Sequence, residues 1–353
     1  MSSANGAVVF VWPGDLHLIK PDMENHRTAL WMADEVKSFI KPDFVQFAGD
    51  NAQDATDEQF QMFRDIAARL DTPSYALVGD HDVHHDPQAH AFRTHVGETY
   101  GSMALRGYRF IRLNTMEFRP LGLSREQVLW FRFEVDRAVA RGEKIVVFQH
   151  HYPFQIWEDF DGPGIDEWRE VVQTRRITAI FAGHTHYGQV ANDGRNVSIA
   201  SRSIGDPEGG PPGYSIVYLH GDDFAVKYRS TEDRGPAVMI THPRDSLLAL
   251  SPRHIVAGQD RIGARIWCAG QVSGVEARVG DGNWFKLEAQ GSQDWGGELP
   301  TEKFKKGEHA LEVRARGADG QMASDRITFM LDRTGRFTAV PCVRPMVTQT
   351  AFC

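Results

Sequence analysis

Five short clusters of aspartate and histidine, each placed just after a β-rich run, constrain this chain more than any other feature. They are Gly14-Asp15-Leu16-His17, Gly49-Asp50-Asn51, Gly79-Asp80-His81-Asp82, His150-His151-Tyr152-Pro153 and Gly183-His184-Thr185-His186. The runs before them are residues 7–12, 43–48, 75–78, 144–149 and 177–182. Helical patterns lie between these runs, and Thr56 with Gln59 and Ser124 with Gln127 have capping-box spacing at helix starts. The alternation predicts a layered α/β core. Residues 103–114 and 214–228 read instead as hairpins turning near Gly107 and Gly221-Asp222, so the core is expected to be mixed.

Each cluster alone is weak, because a Gly-Asp pair is usually a turn and a lone histidine is usually a solvated side chain. Their combination is not weak. Loops that follow the strands of an α/β sheet converge at one edge. Several carboxylates and imidazoles brought together there form a mixed N/O donor set suited to zinc, iron or manganese. A set of this size can hold two ions about 3.5–4 Å apart. No G-x-S-x-G elbow and no G-x-x-x-x-G-K-[ST] loop is present to supply a competing chemistry.

After residue 235 the pattern changes to short alternating runs with turns at Asp281-Gly282 and Asp319-Gly320. This predicts residues 1–235 as one domain, 236–253 as a linker, 254–333 as a small β-sandwich and 334–353 as a tail. Trp267, Val275, Trp284, Leu311, Val313, Ile327 and Phe329 are the expected sandwich core. The net charge of −8 argues against a nucleic-acid or acidic-membrane partner. No apolar run is long enough to span a bilayer and no leader peptide is evident, so a cytoplasmic location is expected. An exported chain whose leader had been removed would read the same. Cys268, Cys342 and Cys353 are too widely spaced for a disulfide framework or a zinc ribbon.

The five blocks in this order resemble the calcineurin-like metallophosphoesterases, whose pattern is D-x-H, G-D, G-N-H-[DE], H and G-H-x-H. The likeness covers roughly residues 7–230, and among family members it is strongest to cyclic-nucleotide and glycerophosphodiester phosphodiesterases. It implies an α/β fold in which a two-sheet β-sandwich is flanked by helices, followed here by a C-terminal all-β sandwich resembling an immunoglobulin-like or fibronectin-like module. It also implies dinuclear-metal-dependent hydrolysis of phosphate esters, with diesters favoured, in which a hydroxide bridging two manganese, iron or zinc ions attacks phosphorus.

Carried over by residue, the resemblance places Asp15, His17 and His186 on one metal. Asp50 bridges, and Asp80, His184 and a histidine of the fourth block hold the other. A ligand two residues before the proline would be His151, leaving His150 behind it or facing away. His81 matches the catalytic histidine that assists the leaving group. Asp82 either orients an imidazole or caps loop backbone. Asp80 departs from the usual Asn and adds a negative charge to the site. Three carboxylates and one hydroxide would neutralise two divalent ions, which weakens the pull on a doubly charged monoester more than on a diester.

Three further features have two readings each. His84 and His85 either line a cleft or are solvated. Arg202 either contacts phosphate or makes a structural ion pair. Trp130, Phe131 and Phe133, on a helical pattern, read as core packing over the other reading, a base-stacking platform. The alternatives to a diesterase are a phosphomonoesterase or protein phosphatase of the same superfamily, or a silent scaffold. The expected partner is a small-molecule phosphate ester, with homo-oligomerisation through the C-terminal domain as a further option.

Overall fold

A computed structural model describes residues 6–154 and 159–345. Cys353 and the end of the expected tail lie outside the described residues. The chain divides into two compact units, Met1–Ser215 with Pro341–Cys353, and Ile216–Val340.

In the first unit, β1 (Val8–Pro13), β2 (Phe44–Phe47) and β3 (Ser74–Ala76) pair in parallel. Between them run α1 (Glu24–Glu35) and α2 (Asp57–Arg69). A short α3 (His90–His95) leads to β4 (Gly101–Leu105) and β5 (Tyr108–Arg112), the expected hairpin around Gly107. Then follow α4 (Arg125–Ala140), β6 (Lys144–Phe148), α5 (Ile165–Thr174), β7 (Ile177–Ala182), β8 (Gln189–Asn192) and β9 (Val197–Ala200). Strands β5, β6, β7 and β9 are parallel neighbours. Thr56 and Ser124 accept from the backbone N–H of Gln59 and Gln127, so both predicted N-caps form.

The two sheets meet through an aromatic layer. The Phe10 ring stands edge-on to Phe110, Phe148 and Phe181 at 5.3–6.0 Å, and Trp12 stacks on Phe148 at 5.3 Å. On its other face the second sheet is covered by α4 and α5. There Val128, Phe131, Val135, Trp168 and Val172 share a core with Ile145, Val147 and Ile180. Alternation along β6 thus sends Ile145 and Val147 to the helices and Phe148 to the opposing sheet. Of the expected aromatic stripe only Phe131 is core. Trp130 packs partly against it and Phe133 is 60% exposed, because successive helical residues turn through about 100°.

Strand β10 (Gly213–His220) runs through the division between the units, and β11 (Asp223–Ser230) follows it after Gly221-Asp222. In the second unit β12 (Ala237–His242), β13 (Asp260–Trp267), β14 (Val272–Val279), β15 (Phe285–Lys286), β16 (Glu288–Ala289), β17 (Asp294–Leu299), β18 (Gly307–Gly317) and β19 (Met322–Leu331) form two antiparallel sheets. Their orders are β12-β13-β17-β16 and β15-β14-β18-β19. Residues of both sheets, among them Val238, Ile240, Ile262, Val275, Leu311, Val313 and Phe329, share one core. β12 lies inside the stretch expected as a linker, where Ala237–His242 pairs with β13. A short β20 (Cys342–Pro345) lies in the expected tail and pairs with β8 of the first unit. Trp267 is buried and Ile327 partly buried, but Trp284 is not core. The guanidinium groups of Arg278 and Arg314 lie over its ring, 4.6 and 4.0 Å from the ring centre. Along β14, Arg278 alternates with the inward Ala277 and Val279, and this places the tryptophan outside.

His242 ends β12 between two carboxylates. Its Nδ1 is 2.6 Å from Asp223 and its Nε2 2.7 Å from Asp260, while Arg261 also reaches Asp223. Burial alone would lower its pKa, but the two carboxylates raise it to about 9. The imidazolium therefore stabilises the fold fully below the unfolded pKa of about 6.5, and this contribution is lost as pH rises through about 9. The expected loss is about 2–3 kcal/mol. Urea midpoints of the wild type should fall between pH 7 and 10 by more than those of His242→Gln. Parallel curves would refute the assignment.

Candidate metal centre

All five clusters lie at the carboxyl ends of parallel strands, following β1, β2, β3, β6 and β7. Since β1 to β3 belong to one sheet and β6 and β7 to the other, the loops meet at one edge of the sandwich. Holding them there strains the backbone. His17, Asp50, His184 and His186 all have positive φ, between 46° and 66°. Such a conformation costs a non-glycine residue about 1 kcal/mol or more and concentrates at functional sites. Two glycines permit the close approach. A Cβ on Gly79 would stand 2.1 Å from Asp50 Oδ1, and one on Gly183 would stand 2.5 Å from Asp15 Oδ1.

The donors fall into two groups that touch. Asp15, His17 and His186 each offer an atom within 4.8 Å of the others, and so do Asp50, Asp80, His150 and His184. Asp50 joins them, with Oδ2 3.8 Å from His17 Nε2 and 3.4 Å from His150 Nε2. Asp15, Asp50 and His150 are fully or almost fully buried, and Asp80 is the most open of the carboxylates.

The hydrogen bonds around the imidazoles fix which nitrogen is bare. His150 Nδ1 is 2.8 Å from the Ala48 carbonyl, so it must carry the proton and donate. Nε2 then faces Asp80 Oδ1 at 3.1 Å and Asp50 Oδ2 at 3.4 Å, a lone pair against carboxylate oxygens. In the same way His17 Nδ1 donates to Gln53 Oε1 at 3.0 Å, and its Nε2 faces His186 Nε2 at 3.1 Å. Acceptors crowded against acceptors need a cation between them, either a proton or a metal ion. A backbone carbonyl that fixes the far nitrogen is the usual support of a metal-binding imidazole. Burial would lower the pKa of His150, yet Asp50 and Asp80 hold it well above the ordinary value. The donor chemistry therefore fits divalent metal ions.

The structure places His150, and not His151, in this cluster. His151 Nδ1 is 2.7 Å from Thr115 Oγ1, and burial beside His150 and His184 pushes its pKa well down. The expected ligand was His151, and the side chain that lies against Asp50 and Asp80 is that of its neighbour. The cause is strand parity. His150 continues the face of Phe148 and reaches Asp50 and Asp80, while His151 turns its Nδ1 to Thr115 and lines the cleft.

His81 sits at the rim with Nδ1 2.9 Å from the Gln53 carbonyl, so Nδ1 donates there. Its Nε2 lies 3.9 Å from Asp80, and its backbone N–H donates to Asp50 Oδ1 at 2.9 Å. Burial opposes its protonation, but Asp50, the Gln53 carbonyl and Asp80 outweigh it and raise the pKa. Asp82 has a different task from its neighbour. It is completely buried and accepts from Asn51 Nδ2 at 2.8 Å, Ala52 N at 2.9 Å and Gly79 N at 3.0 Å. Among the described residues its partners are this side-chain amide and these two backbone N–H groups, and none is an imidazole. It ties the second loop to the third, and burial together with the nearby Asp50 pushes its pKa up to about 7.

Beside the cluster opens a cleft of about 310 Å³ lined by Asp80, His81, His84, Met116, Arg119, His151 and His184, together with Pro120. Arg119, Gln53 and Thr115 carried no sequence signal, since each is a lone polar residue in a loop. Arg202 is buried and donates to the carbonyls of Gly209 and Pro211, both at 2.8 Å, so it braces its own loop instead of reaching for phosphate.

The chain is 26% identical over 164 residues to a probable glycerophosphodiester phosphodiesterase GpdQ of Arcobacter nitrofigilis, covering 41% of this chain and 57% of that protein. It is 24% identical over 151 residues to a probable cyclic nucleotide phosphodiesterase of Colwellia psychrerythraea, covering 40% and 55%. The chain thus spans about half the length of these curated relatives. Similar solved structures include a dimetal phosphatase from Danio rerio, with a TM-score of 0.51 and 11% identity over 63% of this chain and 96% of that one. A purple acid phosphatase from yellow lupin also has a TM-score of 0.51, with 12% identity over 66% and 53%. At such identities these two show the fold alone. The profile of the calcineurin-like phosphoesterases matches residues 10–188, half of the chain, and the chain belongs to that family.

Proposed function

We propose that this phosphoesterase hydrolyses phosphate diesters at two divalent metal ions. The observation that carries the reading is the pair of donor groups sharing Asp50. Asp15, His17 and His186 would hold one ion, Asp80, His150 and His184 the other, and Asp50 both. Bound manganese, iron or zinc would supply a water acidified towards about pH 7 and polarise the phosphoryl oxygens. His81, raised in pKa and at the cleft rim, is placed to give its Nε2 proton to the departing alkoxide. Asp82 holds the loops that present Asp50 and Asp80.

The relatives' names support diesters, and so does the charge at Asp80. Asp80→Asn removes one negative charge beside the cleft. The monoester-to-diester ratio of kcat/KM should rise about 5-fold, on the order of 1 kcal/mol for a partly exposed group. An unchanged ratio would remove the charge argument. The reading itself is tested with bis(p-nitrophenyl) phosphate against p-nitrophenyl phosphate under added manganese, zinc, iron or chelator. Preference for the diester is expected, and preference for the monoester would move the protein to the phosphatases. Among the described residues no helix is long and apolar enough to cross a membrane.

The antiparallel second unit with its two-sheet core supports an immunoglobulin-like reading of that region.

A further inference from the structure

A second constellation of metal-binding side chains lies at the mouth of the cleft. Asp54, His84 and His85 each offer an atom within 4.8 Å of the others, and none belongs to the seven donors described above. His84 and His85 follow the tight turn His81–Val83 and stand with their rings 4.4 Å apart and 21° from parallel. Asp54 reaches them from the loop after β2. Its carboxylate is held in place, because the buried Gln59 donates to Asp54 Oδ2 at 3.1 Å and accepts from the Asp54 N–H at 2.7 Å. An oriented carboxylate beside two imidazoles is a zinc-type donor set. Three protein ligands leave a position open, and both histidines are exposed, so a water or a substrate oxygen could complete the site.

We propose that Asp54, His84 and His85 bind a third divalent transition ion of the zinc class at the cleft entrance. His84 lines the cleft, and its ring centre lies 6.2 Å from that of His81. One divalent ion on one carboxylate leaves a net positive charge there. That charge gives the cleft entrance a local attraction for an anionic ester, which the net charge of −8 does not supply. The site rests on its own donors and does not depend on the dinuclear reading.

The test uses the full chain stripped with chelator and then titrated with zinc by calorimetry, with metal content measured after dialysis. The wild type, His85→Ala and Asp54→Asn are compared, and cobalt(II) replaces zinc for a visible absorption spectrum. The wild type is expected to bind one equivalent more than either variant, and more weakly than the rest, with a cobalt absorption component missing from both variants. Equal stoichiometry and equal spectra in all three proteins would overturn the site. The difference between proteins decides this whatever the total. A wild type that binds two equivalents, as do both variants, loses the third site and keeps the dinuclear centre. A wild type that binds one equivalent, the variants none, keeps the entrance site and loses the dinuclear centre.

Discussion

Replacing His150 by alanine should cost most of the activity, whereas replacing His151 should leave a working, less stable protein. His150 Nε2 lies within 3.4 Å of both Asp50 and Asp80, and its Nδ1 is pinned by the Ala48 carbonyl. Removing it takes a nitrogen donor from between two carboxylates that repel each other when nothing positive lies between them. Diester hydrolysis should fall by more than about 100-fold, the upper range for losing even an outer supporting partner of a metal ligand. One metal equivalent should be lost or much weakened. His151→Ala removes a buried ring bonded to Thr115 and leaves a cavity, so its cost of about 2–3 kcal/mol should show in thermal stability. Metal content and thermal melts of the two variants separate the roles. The opposite pattern would restore His151 as the ligand.

The second large effect is on stability. Asp82→Ala leaves three donors, Asn51 Nδ2, Ala52 N and Gly79 N, without their shared acceptor in a fully buried place. A buried donor left unpaired costs about 1–3 kcal/mol, so the loss should be roughly 3–5 kcal/mol. The carboxylate already bears a burial penalty, which keeps the net effect near the lower end. For a unit of this size that lowers Tm by about 10 °C. Asp82→Asn keeps one carbonyl acceptor and should lose about half as much. A carboxylate that merely oriented the catalytic imidazole would give a different result, a fall in kcat at unchanged Tm.

Most of the first unit was legible because its strands are apolar runs bounded by the clusters themselves. The predicted run 177–182 coincides with β7, and 43–48 overshoots β2 by one residue at each end. The choice between His150 and His151 was not legible, for a physical reason. β6 is buried on both faces, so Lys144–Phe148 is a continuous apolar run after its first residue and gives no cue to parity. Only the three-dimensional fact that Phe148 meets Phe10 and Trp12 says which neighbour reaches Asp50 and Asp80.

Asp82 and Asn51 illustrate another limit. The motif blocks drew attention to them as chemistry, while their hydrogen bonds join loops 31 residues apart in the chain, a pairing no local pattern reveals. The linker reading missed β12 because the run at Ala237–His242 is isolated from other strands in sequence and pairs with Gly263–Trp267 only after the intervening loop. Trp284 was misplaced because a large aromatic was assigned inward without a register. Its neighbours on the outer face are arginines, whose flat guanidinium groups cover the ring as well as apolar side chains would.

The dinuclear centre is tested by the hydrolysis of bis(p-nitrophenyl) phosphate by protein stripped with chelator and then reloaded with manganese or zinc. No turnover is expected when stripped, and recovery should saturate only as the second equivalent binds. Turnover that survives complete removal of metal, or saturates at one equivalent, would contradict a centre built from two donor groups joined by Asp50.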